Sequence, residues 1–258
     1  INYYYPTNDL VTAPEIMFFW VARMIMSGYE FKKDLPFKNV YYTGIVRDKL
    51  RRKMSKSLGN SPDPLPMIDE YGADAVRMGM LLCSPAGNDI LFDMSQVEQG
   101  RNFNNKLWNA YRLVVGFEVT NELNEYYSQY APIAQQWMEM KMDAAIGEIN
   151  DHFEKFRLSD ALMTIYKLIW DDFCSWYLEM MKPNYGDPIP APVLADVKGV
   201  FERLLNLLHP FMPFITEEIS YGLGKDKNSF INNSSWPVAS GKSLAFNSEA
   251  PLELISLI

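Results

Sequence analysis

Between Arg47 and Lys56 the chain gathers six cations, Arg47, Lys49, Arg51, Arg52, Lys53 and Lys56, against one acid, Asp48. Lys53 and Lys56 are separated by Met54 and Ser55, so one tight turn can aim both ammonium groups at a single anion. Ser55 and Ser57 add hydroxyl donors, and Gly59 frees the backbone to turn sharply. This set suits phosphoryl or nucleotidyl transfer, where preorganised donors stabilise charge as it builds on phosphate oxygens. The plainer reading of a charge run is a solvated surface loop. Neither a Walker-type G-x-x-x-x-G-K-[ST] nor a G-x-G-x-x-G dinucleotide fingerprint occurs.

The elements that must hold this loop change character near residue 95. Before it, the β-branched and aromatic run 39–46 reads as a strand ending beside the basic loop. Residues 14–28 read as a helix with Pro14 in its first turn and Gly28 at its end. Asp63 as N-cap, Pro64 at N1 and Gly72 as stop define another helix. A strand, a loop and then helices are α/β grammar, with ligands expected beyond the carboxyl ends of strands.

After residue 95 the pattern is helical. Ser95-Gln96-Val97-Glu98 has the form of a capping box and is expected to open a helix running to about Glu118. Leu162, Ile165, Ile169, Phe173, Trp176 and Met180 step by three or four and predict one buried stripe; Leu194, Val197, Phe201, Leu204 and Leu208 predict the next. Residues 182–192, with four prolines, read as a linker. Pro210 and Pro213 are expected to end one helix and start another. The sum is a helical bundle.

Composition sets outer bounds. A length of 258 residues suits one or two domains, and a net charge of −8 argues against a uniformly basic nucleic-acid binder, leaving local patches to decide. Cys83, Cys174, His152 and His209 have no zinc-ligand spacing, so no metal-ligating residue is expected and the compartment reads as reducing and cytoplasmic. No apolar run reaches the roughly 18 residues of a membrane span. The opening Ile-Asn-Tyr reads as the inside of a domain, which makes an internal fragment the expectation.

Lys53-Met54-Ser55-Lys56-Ser57 matches, residue for residue, the KMSKS signature of class I aminoacyl-tRNA synthetases. "FFWVARMI", "PFKNVYYTGIVRD", "GNSPDPL", "EYGADAVR", "RNFNNKLWNAYR" and "LLHPFMPFITEEI" resemble the valine-specific members in order and spacing. The resemblance covers about residues 1–220 and fades in the last 35. It implies a mixed, mainly α fold: the C-terminal part of a Rossmann-type α/β catalytic domain over 1–95, then an all-α anticodon-binding bundle over 96–258. Residues 60–95 would form a stem-contact segment. Activation of valine with ATP and Mg2+, followed by transfer to tRNA(Val), by a monomer without membrane association, is the implied function. The family's other signature, HIGH, is absent, as no histidine precedes His152, and so is the editing domain. The chain alone is therefore expected to be inactive.

By the same resemblance Lys53 and Lys56 are catalytic, holding the ATP phosphates and stabilising the departing pyrophosphate, within an ATP-binding set that includes Met54, Ser55 and Ser57. Met54 would place the loop near adenine, and Gly44 would let the backbone approach the base. Ala13-Pro14-Glu15 departs from the family's usual Gly, aromatic, Asp; Glu15 is carried over as the ribose acceptor. Ile16 and Trp20, one helical turn apart, would line the valine pocket; without the resemblance they read as core. Arg101, Lys106 and Arg112 on one helix, with asparagines interleaved, would bind tRNA, or form a solvated face. A sister synthetase for isoleucine, leucine or methionine, and a non-enzymatic helical RNA-binding module, are the competing readings.

Overall fold

Strand β1 (Thr7–Thr12) pairs in parallel with β2 (Phe37–Tyr42), from Thr7 opposite Phe37 to Thr12 opposite Tyr42. A parallel pair needs a long crossover. Here it is helical: a 3-10 turn over Pro14–Ile16, a π-helical turn over Met17–Val21, then α1 (Ala22–Lys32). Gly28 does not end this helix as expected. Lys33, at φ 58°, makes the left-handed stop. Gly28 is instead where the chain packs back on itself: a Cβ there would lie 2.8 Å from Tyr5 Oη and 2.9 Å from Asp34 O. The expected strand 39–46 divides, because β3 (Val46–Arg47) leaves β2 to pair in parallel with β4 (Ile90–Leu91). This computed structural model describes residues 3–84, 88–224, 226 and 228–241, so most of the last 35 residues lie outside it.

Helix α2 (Pro64–Tyr71) begins as its sequence requires, with Asp63 accepting from Leu65 N at 3.0 Å. Gly72, at φ 87°, turns the chain into α3 (Ala73–Leu82). The next helix, α4 (Met94–Val115), is capped two residues earlier than expected. Asp93 accepts from Ser95 N at 3.0 Å, so Ser95 is inside the helix and the capping box does not form. Helices α3 and α4 touch backbone to backbone. A Cβ on Gly79 would lie 2.8 Å from Val97 N, and one on Gly100 2.6 Å from Ala75 O.

The bundle adds α5 (Glu125–Glu154), a rod made of α6 (Leu158–Lys167), a π segment (Leu168–Tyr177) and α7 (Leu178–Met181), then α8 (Ala191–Leu208) and α9 (Pro213–Gly222). The stripe on α8 is buried as expected. The stripe on the rod is buried except at Trp176, which is 39% exposed. The wider i→i+5 turn of the π segment moves the inward position one residue on. Tyr177 takes it, fully buried, and donates to Gln135 Oε1. The proline-rich linker is also more ordered than expected: β5 (Val119–Thr120) pairs in parallel with β6 (Ile189–Pro190), whose residues are buried. Among the described residues no helix is long and apolar enough to cross a membrane.

The α3–α4 contact predicts opposite signs for two alanine substitutions. Both gain about 1 kcal/mol of helix propensity. Gly100→Ala must also push α3 away, at a cost of about 1–3 kcal/mol, and is expected to lower the urea midpoint. Gly147→Ala on α5, where nothing lies within 4 Å of the new Cβ, is expected to raise it.

Candidate functional site

The basic loop is a hairpin rather than an open charged coil. Lys53 returns as an antiparallel bridge to Arg47, and Met54 N donates to Val46 O at 3.3 Å. Asp48 organises the turn between them. Its carboxylate accepts from Leu50 N at 3.0 Å, Arg52 N at 2.9 Å, Arg52 Nε at 2.8 Å and Asn60 Nδ2 at 3.0 Å. Arg51, at φ 62°, makes the sharp bend. Asn60 closes the loop from the far side: its Oδ1 accepts from Ser55 N at 2.9 Å and its Nδ2 also donates to Lys53 O at 3.3 Å. The Asn60 bond, followed by those from Arg52, holds the Asp48 carboxyl down at about 2.

This scaffold spends most of the loop's charge locally. Arg52 pairs with Asp48, Arg47 with Asp89, and Lys49 with Asp93 at 3.4 Å. Lys53 Nζ donates to both carboxylate oxygens of Glu15 at 3.0 Å. Among the described residues Arg51 and Lys56 make no ion pair. Ser55 caps the 3-10 turn Lys56–Leu58 by accepting from Leu58 N at 3.3 Å, and its hydroxyl meets that of Ser57 at 3.1 Å. Gly59, at φ 64°, ends the turn. The result, among the described residues, is a tied frame on which Lys56 and Arg51 make no ion pair and Lys53 is held by an exposed carboxylate.

Other expected residues fall in less expected places. Met54 packs against the small apolar cluster of Ala75, Phe92 and Val97, which ties the loop to α3 and α4. A Cβ on Gly44 would lie 1.9 Å from Asn88 O, so the missing side chain admits the backbone before β4. Ile16 is 39% and Trp20 60% exposed, on the 3-10 and π turns respectively, so neither is core among the described residues. Two concave surfaces among the described residues lie elsewhere: a cleft of about 430 Å³ beside Asp74 and Asn104, and one of about 710 Å³ between α5 and α8.

A model described as tRNA synthetases class I (I, L, M and V) matches residues 1–93, and one described as anticodon-binding domain of tRNA ligase matches 135–258. The curated valine-tRNA ligase of Phocaeicola vulgatus is 65% identical over 219 residues, 85% of this chain. That of Christiangramia forsetii is 61% identical over the same length. This chain belongs to the class I tRNA synthetases. It spans about a quarter of the length of these relatives, 25% in both cases. A more distant relative, the valine-tRNA ligase of Clostridium tetani, is 45% identical over 92% of this chain and 27% of its own. The fold matches a leucyl-tRNA synthetase of Agrobacterium radiobacter K84, solved in a ternary complex with tRNA and LeuAMS. The TM-score is 0.66 at 22% identity, over 91% of this chain and 29% of that one.

On the bundle of this synthetase chain, α4 separates its three cations. At about 100° per residue, Arg101, Asn105, Trp108 and Arg112 share one exposed face. Lys106 falls on another and lies 5.4 Å over the Trp170 ring. Arg101 is 5.0 Å over Tyr71, which ties that face to α2. Residue types alone did not single out Asp48 and Asn60, although each left a signal: Asp48 is the only acid in the run, and Asn60 directly follows the glycine.

Asn60→Ala removes the bond that contributes most to the low Asp48 value, and a carboxyl-carbon NMR titration is expected to show it rise from about 2 toward 3.8. The native value lies below the unfolded one, so the stabilisation by Asp48 is complete above about pH 4 and is lost as pH falls through about 2. In the variant that loss moves to higher pH.

Proposed function

We propose that this chain carries the KMSKS part of the catalytic domain (1–95) and the anticodon-binding bundle (96–258) of a valine-tRNA ligase. Such an enzyme joins the valine carboxylate to the α-phosphate of ATP with loss of pyrophosphate, then passes the valyl group to the 3′ end of tRNA(Val) with loss of AMP. The observation that carries the reading is the KMSKS loop itself, with Lys56 exposed and in no ion pair among the described residues, on a frame tied by Asp48 and Asn60, in a chain 65% identical over 219 residues to a valine-tRNA ligase.

In this reading Lys56 meets the β- and γ-phosphates directly. Lys53 reaches them after leaving Glu15, and an exposed pair of this kind holds with only about 0–1 kcal/mol. Glu15 is then free to accept from ribose hydroxyls, so one nucleotide takes both partners of the pair. Magnesium enters as MgATP, on the phosphates. The part played by this chain is to supply the lysines that meet those phosphates. Ile16 and Trp20 form a wall for the valine side chain. Arg101 and Arg112 track the tRNA backbone from their shared face of α4, and Lys106, on another face, adds only to the local positive field. A cytoplasmic monomer completes the reading on the resemblance alone. The relatives favour valine over the sister amino acids, and the matched catalytic-domain segment disfavours a purely non-enzymatic helical module.

Two measurements test this. In the full-length protein, valine is expected to drive ATP–pyrophosphate exchange, and Lys56→Ala to slow it by about a hundredfold or more, the scale of losing one preorganised donor. Exchange driven by isoleucine, leucine or methionine instead would move the assignment to a sister enzyme. Titration of tRNA(Val) at rising salt is expected to give a falling log–log affinity line, less steep for Arg101→Ala and Arg112→Ala by about 1 in slope. Salt-independent binding would sink the placement of tRNA on this face.

A further inference from the structure

Helix α3 lies between the basic loop and the far corner of the bundle and touches both. On the loop side, Ala75 joins Phe92 and Val97 in the apolar cluster that receives Met54 of the KMSKS loop. Toward the bundle, Asp74 and Arg77, one turn apart, meet the turn between α8 and α9. Asp74 is only 4% exposed, and its carboxylate accepts from Ile215 N at 2.7 Å and Phe214 N at 3.4 Å. Those amides open α9, whose own N-cap residue, Met212, supplies no side-chain bond. Arg77 Nε donates to Phe211 O at 3.0 Å and its Nη2 to Pro210 O at 3.1 Å, carbonyls just past the end of α8. The acid therefore sits at the amide end of one helix and the cation at the carbonyl end of the other, the signs that helix dipoles favour.

This linkage has little slack. Burial pushes the Asp74 carboxyl up while the two amides pull it back down, so moving it off α9 would strand a desolvated charge. Gly79 and Gly100 bring α3 and α4 into backbone contact, so α3 cannot close further on its neighbour. A second bridge runs parallel to it. Phe156, at the bend between α5 and α6, adopts a left-handed φ of 56° and stacks on Tyr41 of β2 at 5.6 Å. A non-glycine residue in that region is strained, and here it delivers a ring from the bundle to the sheet that precedes the loop.

We propose that Asp74 and Arg77 are positioning residues, through which α3 couples the α8–α9 corner of the bundle to the geometry of the KMSKS loop by way of Met54. Displacing the corner, as tRNA bound to the bundle would do, then shifts the lysines, and occupancy of the loop acts back on the corner by the same factor. The consequence for aminoacylation rests on the ligase reading; the mechanical coupling does not.

The test is hydrogen exchange in the full-length protein, followed residue by residue, with ATP–pyrophosphate exchange beside it. Asp74→Asn and Arg77→Lys keep size but lose the charge and the two-pronged geometry respectively. Both are expected to speed exchange at Phe214 and Ile215. Coupling adds an acceleration of about fivefold or more at Met54, Ser55 and Leu58, with a raised KM for ATP. A cap that is merely structural would speed the α9 amides and leave the loop amides and the ATP KM where they were; that result overturns the proposal. Should those variants not fold, Met54→Ala approaches from the other end. It is expected to speed exchange at Phe214 and Ile215, and unchanged α9 amides would equally overturn the coupling. Coupled exchange in a protein with no valine-dependent ATP chemistry would leave the clamp standing and remove the ligase reading.

Discussion

The backbone approach of α3 and α4 is the constraint on which the rest of this structure depends. With Gly79 against Val97 and Gly100 against Ala75, the two helices meet at backbone contact, and α3 is held as though part of the bundle. Everything upstream inherits that placement. Met54 rests on the residues at this contact, Asp93 at the start of α4 draws Lys49, and Asp89 before β4 draws Arg47. A loop that carries six cations is thereby registered on a helical body with net negative charge.

Charge in the loop is organised by subtraction. Single acids quench single bases until, among the described residues, Arg51 and Lys56 remain without an ion pair and Lys53 is held by an exposed carboxylate. Asp48 is central because it does this without leaving the turn: it neutralises Arg52 while satisfying two backbone amides and the Asn60 amide. The low value of its carboxyl keeps that arrangement intact across any physiological pH. For a site that must meet a polyanion, a hydrogen-bonded frame with an exposed, solvated ammonium is a sound division of labour. The frame limits the entropy lost on binding, and the ammonium avoids a desolvation cost before the ligand arrives.

The helical half follows a different logic, in which burial sets register and local geometry adapts. The π segment is the clearest case. A strict 3.6 repeat would put Trp176 in the core, and the wider turn puts Tyr177 there instead, with its hydroxyl satisfied by Gln135. Trp176 is left at the surface. The α8–α9 corner likewise depends on partners from outside, since two prolines and a buried turn leave amides and carbonyls that its own side chains do not reach.

By itself the sequence determined what is local in cause. The KMSKS pentamer, the Asp63-Pro64 start of α2, the α8 stripe and the change to helices near residue 95 were all legible, because each depends on neighbours a few positions away. Competition between close candidates was less legible: Asp93 and Ser95 both make good caps, and the folded chain uses Asp93. What tertiary structure alone decided is pairing across distance. Lys53 finds Glu15 across 38 positions, Asp74 finds Phe214 across 140, and Met54 packs on the cluster of Ala75, Phe92 and Val97. No spacing rule encodes such partners. They exist because the fold brings separate segments together, and burial then makes an unpaired amide, carbonyl or carboxylate too costly to leave.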